Sequence, residues 1–293
     1  MGRLVVVGTP IGNLSDLSPR AGEALRTADL VVAEDTRVAA KLLAHLDVRR
    51  QTRSFNAHNA ESRLPELLAR LAAGETLALT TDAGMPAVSD PGARLVAAAR
   101  SAGHDVAVVP GPAAVTAALS LAGEEASGFV FGGFLPARPA SVRGAALERL
   151  LAASGSLGLP LVLYEAPPRV RALLAALADR VPDARVALAR ELTKRYEEVV
   201  AGTPAEVAAS LATVRGEFTL VVSGGHVPSV VSSSLDAGAI ARAAATQGLS
   251  VRTTVELLRA GGLGRREAYA VAEAAAGSAD PTAPRSKPSV MGR

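Results

Sequence analysis

Four short segments of the 293-residue chain hold more glycine, proline and carboxylate than ordinary turns require. They are Gly8-Thr9-Pro10-Ile11-Gly12-Asn13, Glu34-Asp35-Thr36-Arg37, the stretch from Asp82 to Gly92, and Pro110-Gly111-Pro112-Ala113-Ala114. Each follows a short β-branched run and precedes a helical pattern. That places it at the carboxyl end of a strand, where ligands bind in open parallel sheets. One such loop is a plain connection, but four along one sheet edge make a site. The first invites comparison with the dinucleotide fingerprint G-x-G-x-x-G and departs from it, because Pro10 stands where a second glycine must let the backbone approach a pyrophosphate. No Walker-type lysine follows. The loops therefore suit a ligand without phosphates, such as a nucleoside held by backbone groups and small side chains.

The elements that must carry these loops are legible around them. Leu4–Val7, Leu30–Ala33, Leu77–Thr81 and Val106–Val109 read as strands, the first with no polar alternation, as a buried parallel strand should be. Ser18-Pro19 opens a helix to about Arg26, Asp35-Thr36 one to about Leu46, and Asn59 one ending near Ala73 with Gly74 as its stop. Asp90-Pro91 starts a further helix and Gly111-Pro112 another, up to about Leu121. This alternation predicts a mostly parallel sheet covered on both faces. The second half repeats it: strands at Phe129–Phe134, Leu161–Tyr164, Arg185–Ala189 and Phe218–Val222, and helices at Ser141–Ala153, from Pro167-Pro168 to Val181, and after Thr203-Pro204. Pro228–Ser234 reads as a serine-rich linker, Ala237–Ala276 as two or three short helices broken at Gly248 and Gly261–Gly264, and residues 278–293 as a disordered tail. The expected organisation is an α/β domain over residues 1–120, a second over 121–227, a basic helical extension over 237–277, and the tail.

Composition narrows the chemistry. With 49% hydrophobic and 20% charged residues the chain is an ordinary globular protein. Zero cysteines exclude disulfides, thiolate metal sites and a cysteine nucleophile, and four histidines argue against a histidine-rich metal centre. No apolar run approaches the ~18 residues of a membrane span, and no signal peptide is visible, so a cytoplasmic protein is expected. Residues 238–293 carry 8 basic and 4 acidic side chains, which accounts for the whole positive balance. A basic end of that kind attracts a polyanion.

Seven motifs then fall in order: Val-Gly-Thr-Pro-Ile-Gly-Asn-Leu (7–14), Ala-Glu-Asp-Thr-Arg (33–37), Ser-Asp-Pro-Gly (89–92), Pro-Gly-Pro (110–112), Gly-Phe-Leu-Pro (133–136), Tyr-Glu (164–165) and Ala-Arg-Glu-Leu-Thr-Lys (189–194). Together, over about residues 3–225, they resemble the family of ribosomal RNA small subunit methyltransferase I, within the tetrapyrrole methylase superfamily. The resemblance implies two α/β domains with S-adenosylmethionine in the cleft between them and, usually, a homodimer. It implies methyl transfer to the ribose 2′-oxygen of a cytidine in the decoding centre of 16S rRNA, within the small ribosomal subunit. Cofactor contacts are implied at Ile11, Met85, Val88, Ala113, Ala114, Glu165, Leu192 and Thr219, mostly small or apolar, as adenine and a methionine chain require.

Methyl transfer from a sulfonium is an in-line displacement governed by positioning, but a group must accept the hydroxyl proton. The candidates are Asp90, Glu34, Asp35, Glu191, Lys194 and the lone loop histidine His58. Asp90 serves equally as a helix cap, Glu34-Asp35 as a helix-start pair, and Glu191 with Lys194 as a structural ion pair. With no tryptophan and eight aromatics, RNA is expected to be gripped mainly by charge, at Arg37, Arg49, Arg50, Arg53, Arg138, Arg143 and Arg195 and by the basic extension. Two alternatives stay open: a porphyrinoid C-methyltransferase on the same fold, and a non-catalytic RNA-binding protein that kept it.

Overall fold

The computed structural model describes residues 2–224, 237–260 and 263–277, and the chain falls into two compact units, residues 1–227 and 228–293. The first unit contains two five-stranded sheets. In chain order its first half runs β1 (Arg3–Val7), α1 (Pro19–Thr27), β2 (Leu30–Ala33), α2 (Thr36–His45), β3 (Thr52–Ser54), α3 (Ala60–Ala72), β4 (Thr76–Thr80), α4 (Gly92–Ser101) and β5 (Asp105–Val109). The sheet order is β3-β2-β4-β1-β5, with every pairing parallel. The three inner strands, β2, β4 and β1, are apolar over most of their length because both of their faces are covered. On one face Leu4, Val6, Leu30, Val32, Leu77 and Leu79 pack against Leu67 and Leu71 of α3 and Leu95 of α4. On the other, Val5, Val7, Val31 and Ala78 pack against Leu25 of α1 and Leu42 and Leu43 of α2.

The second half continues with α5 (Ala114–Ala122), β6 (Val130–Phe134), α6 (Ala140–Leu157), β7 (Leu161–Glu165), α7 (Pro167–Arg180), β8 (Arg185–Arg190), β9 (Glu198–Gly202), α8 (Pro204–Ser210) and β10 (Phe218–Ser223). Its order is β6-β7-β10-β8-β9. Only β6 and β7 run parallel; β10 is antiparallel to both neighbours and β8 forms an antiparallel pair with β9. The alternation of helix and strand along the chain does not encode this reversal, so the expectation of a parallel arrangement holds for the first sheet and fails for the second. Two strands also escaped the sequence reading. β3 is a three-residue polar edge (Thr-Arg-Ser), and β9 is a largely exposed edge strand whose apolar run is only Val199–Ala201.

Leu161, Leu163, Val186, Leu188, Leu220 and Val222 bury one face of the second sheet under α6, α7 and α8. The opposite face, with Val162, Ala187, Ala189 and Val221, is covered by Val115, Ala118 and Ala122 of α5. The helix that follows the last strand of the first sheet thus packs on the second. The second unit holds α9 (Ala237–Thr246), α10 (Val251–Ala260) and α11 (Arg265–Gly277), closed around Ala241, Val255, Leu258, Ala268 and Ala272. The serine-rich stretch 228–234 and the segment 278–293 lie outside the described residues.

Candidate active site

The loops at the carboxyl ends of β1, β4 and β5 lock onto one another. Gly8 and Gly111 touch backbone to backbone: a Cβ on Gly8 would lie 2.6 Å from Gly111 Cα, and one on Gly111 would lie 2.8 Å from the Gly8 carbonyl carbon. Thr9, buried, exchanges two backbone hydrogen bonds with Gly84 and donates its hydroxyl to the Thr81 carbonyl. The first loop also reaches the second sheet. Asn13 N–H donates to Thr193 Oγ1 at 3.0 Å, and a Cβ on Gly12 would sit 2.5 Å from Lys194 Cγ. Pro10, which breaks the dinucleotide pattern, lies between these two anchor points.

Between the loops and the second sheet lies a cavity of about 670 Å³, in the size range of small-molecule sites. All eight residues expected to hold a cofactor line it: Ile11, Met85, Val88, Ala113, Ala114, Glu165, Leu192 and Thr219. The Asp82–Gly92 loop is held in a costly shape, with Ala87 at φ 69° and Ser89 at φ 62°. Asp90 holds it there: its carboxylate accepts from Ala87 N–H at 2.9 Å and from Gly92 N–H at 2.6 Å. Although Asp90 lines the cavity, its hydrogen bonds are those of a loop clamp. The helix begins at Gly92, two residues later than the Asp90 start expected from sequence.

The other proton-acceptor candidates separate by geometry. Glu34 lines the cavity and accepts from Thr81 Oγ1 at 2.9 Å. Asp35 lies off the cavity wall, capping α2 and paired with the Arg37 guanidinium, whose hydrogen bonds lower its carboxyl to about 2. Glu191 and Lys194 also lie off the wall. Lys194 Nζ bridges Glu191 Oε1 at 3.0 Å and Glu217 Oε2 at 3.1 Å, and Glu191 accepts from Glu217 N–H. Burial pushes the Glu191 carboxyl up, but the bonds from Lys194 and Glu217 outweigh it and leave it below its usual value. Lys194 is likewise raised by its two carboxylates against the effect of burial. This triad fixes a loop in which Glu191 (φ 54°) and Thr193 (φ 65°) are left-handed, and the loop presents Leu192 to the cavity. His58 is exposed and does not line the cavity.

Sequence reasoning passed over Asp82. Its carboxylate lines the cavity beside Glu34 and accepts from Asp35 N–H at 3.0 Å. Burial, with the nearby Glu34 and Asp35 charges, raises it above the usual range despite that bond. The pairing of β2 with β4 creates this acidic corner, by placing Ala33 opposite Thr80.

The family model for Tetrapyrrole (Corrin/Porphyrin) Methylases matches residues 3–208. The chain belongs to the tetrapyrrole methylase family. Among curated relatives, the ribosomal RNA small subunit methyltransferase I of Xylella fastidiosa is 45% identical over 228 residues, 76% of this chain and 82% of that protein. The protein of the same name from Thermotoga maritima is 39% identical over 226 residues, covering 76% and 99%. Solved tetrapyrrole methylases share the fold. The native uroporphyrin III C-methyltransferase of Thermus thermophilus aligns with TM-score 0.54 at 21% identity, covering 78% of this chain and 100% of that one. A cobalt precorrin-4 methyltransferase aligns with TM-score 0.56 at 16% identity, covering 76% and 94%.

Within this tetrapyrrole methylase the arginines proposed for RNA do not form one set. Arg143 is only 15% exposed and is paired with Glu165, itself 1% exposed, so it is committed to the protein and unavailable to a phosphate. Arg53 pairs with Glu66, and Arg50 donates to the Arg26 carbonyl. Arg37 is exposed but neutralised by Asp35. Arg138 is exposed after β6, and Arg195, also exposed, lies over the Tyr196 ring at 5.6 Å. The aromatics are concentrated where composition gave no hint. Of the eight, Phe129, Phe131, Phe134, Tyr164 and Phe218 all line the cavity.

Proposed function

We propose that this tetrapyrrole methylase transfers a methyl group from S-adenosylmethionine to a ribose 2′-oxygen of a cytidine in the 16S rRNA decoding centre. The supporting observation is that a chain 39–45% identical to proteins named ribosomal RNA small subunit methyltransferase I brings all eight expected cofactor residues to one cavity. The residues fit that cofactor. Ile11, Met85, Val88 and Leu192 offer an apolar surface for adenine and the methionine chain. The N-terminus of α5, whose Ala113 makes no side-chain cap bond, lines the cavity at Ala113–Thr116 and brings the positive end of the helix dipole to it, which suits a carboxylate. Glu34 and Asp82 supply negative potential where a sulfonium needs it.

When bound, S-adenosylmethionine supplies an electrophilic methyl group. The chain's part is to hold the acceptor oxygen in line, exclude water and take the proton. Asp82 is the carboxylate best suited to accept it at Oδ, because its proton affinity is raised and it borders the cavity, whereas Asp35 and Glu191 are held down by cations. Burial raises Asp82 and the Glu34 charge adds to it, while Asp90 and Lys194 keep the two loops in place. The second unit carries five arginines against three glutamates over residues 237–277 and extends the electrostatic grip on RNA.

The test offers labelled cofactor with purified small ribosomal subunits and, side by side, with a porphyrinoid. Label on a cytidine 2′-oxygen of the small-subunit rRNA is expected. Label confined to the porphyrinoid, or placed on a base, refutes the proposal.

A further inference from the structure

Five of the chain's eight aromatic side chains line one cavity in a protein with no tryptophan. Three of them form a cluster: Phe131 meets Tyr164 edge-on at 5.2 Å, and Phe134 meets it at 5.4 Å with the rings tilted by 55°. In a regular strand residues three apart face opposite sides of the sheet. Here both phenylalanines reach Tyr164, because β6 carries an irregularity between Phe131 and Gly133, and Gly133 adopts φ 57°. Bulges of this kind re-aim side chains next to functional sites.

The re-aimed ring is not a core residue. Phe134 is 55% exposed at the end of its strand, although it lines the cavity. Behind it Tyr164 and Phe131 are half-buried and packed on the α5 face of the sheet. Four residues further on stands Arg138, exposed and next to the helix that begins at Ala140. A solvent-facing aromatic backed by two further rings, with carboxylates in the same cavity and an exposed arginine four residues on in the chain, has the composition of a site for one unstacked base of a single strand. A cofactor enclosed among small apolar side chains has no need of an exposed ring.

We propose that Phe134, backed by Tyr164 and Phe131, is the stacking platform for the nucleobase of the target nucleotide, extruded from its RNA neighbours so that its ribose hydroxyl enters the cavity. This rests on the functional reading above and adds the residue that positions the RNA substrate. Bringing one ribose hydroxyl down into a cavity splays its nucleotide away from its neighbours, and a stacking surface offsets part of the lost base stacking.

The experiment compares Phe134→Leu, which keeps bulk without a π-face, with Phe134→Trp, which restores the face and introduces a single tryptophan. Base–aromatic stacking predicts that Phe134→Leu lowers kcat/KM for small subunits by about 5- to 150-fold, chiefly through KM. Calorimetric affinity for S-adenosylmethionine should stay unchanged, and Phe134→Trp should retain activity. The tryptophan fluorescence should be quenched by a short RNA hairpin with an unpaired loop cytidine and not by the cofactor alone. Wild-type-like kcat/KM in Phe134→Leu, or a loss of cofactor affinity that accounts for the whole defect, overturns the platform while the functional reading stands. Quenching by a porphyrinoid but not by RNA overturns both. Failure of the wild-type protein to methylate small subunits defeats the functional reading, and the platform with it.

Discussion

Removing the Glu165 carboxylate should destabilise the first unit more than removing either arginine that faces it. Glu165 ends β7 with its side chain fully buried, and accepts from Ala166 N–H at 2.8 Å, from Arg169 Nε at 2.8 Å and from Arg143 Nη2. Arg143 is nearly enclosed, and its Nη1 already lacks a partner. In Glu165→Ala that guanidinium stays buried without a counter-charge, a situation that costs about 3–5 kcal/mol. Arg143→Ala leaves the carboxylate buried but still held by Arg169 and by Ala166 N–H, so its cost should be smaller, about 2–3 kcal/mol. Arg169 is about a third exposed, and its pair is worth about 1 kcal/mol, as for other solvent-accessible pairs.

The assay is urea unfolding at pH 7 followed by far-UV circular dichroism, with hydrogen exchange at β7 amides assigning the transition to this unit. Because the groups touch, Glu165→Ala with Arg143→Ala should cost less than the sum of the single changes, by about 0.5–3 kcal/mol. Glu165→Ala within about 1 kcal/mol of wild type, or equal to Arg169→Ala, would show that water reaches the cluster and that the burial argument is wrong.

Asp82→Asn should cut the methylation rate by about 10²–10⁴-fold, the usual worth of a general base, with cofactor affinity retained. Because the folded-state value of Asp82 is raised, its ionisation opposes folding. The variant should therefore be slightly more stable at neutral pH, and the gain should vanish below the ordinary aspartate value of 3.8. Full activity in this variant removes Asp82 from the mechanism. Lys194→Ala should cost about 1–2 kcal/mol near neutrality and weaken cofactor binding through Leu192 rather than slow the transfer step. Glu191 is lowered, so its share is present above 4.5 and lost as pH falls through its folded value. Lys194 is raised, so its share is present below 10.5 and lost as pH climbs through its folded value. A stability difference that stays flat across that window counts against the triad. A chain ending at about residue 225 should fold and bind S-adenosylmethionine yet bind small subunits more weakly, with the defect shrinking at low salt. Equal subunit affinity with and without the second unit, at every salt concentration, removes that unit from RNA binding.

Most of the first sheet was legible because its inner strands are buried on both faces and its turns carry glycine and proline, whereas the polar edge strand β3 was not. The residues that the resemblance implies for the cofactor meet in one cavity, where Ile11, Met85 and Thr219 share a wall although they are far apart in sequence. What escaped the sequence depended on neighbours across space. Asp82 stood in plain view after a strand, but its proximity to Glu34 and Asp35 follows from β2 lying beside β4, an order that no local pattern records. Arg143 was expected to grip RNA, and only burial against Glu165 shows it as a core ion. Glu191 and Lys194 had the spacing of an acid–base couple. Glu217, 23 residues beyond Lys194, supplies the third member that makes them a brace.

The cavity also divides its work between the sheets. The acidic corner comes from β2 and β4 of the first sheet, while Phe131, Phe134, Tyr164 and Phe218 come from β6, β7 and β10 of the second. A rigid joint must hold the two walls in register, because transfer chemistry is sensitive to errors of about 1 Å. Three contacts provide it: α5 packed on the second sheet, Asn13 bonded to Thr193, and Gly12 pressed against Lys194. On the proposed function, proton acceptance is fixed by the first wall and acceptor recognition by the second. On the same proposal, altering the aromatic wall alone should change the acceptor while the carboxylates and the apolar cofactor surface stay untouched.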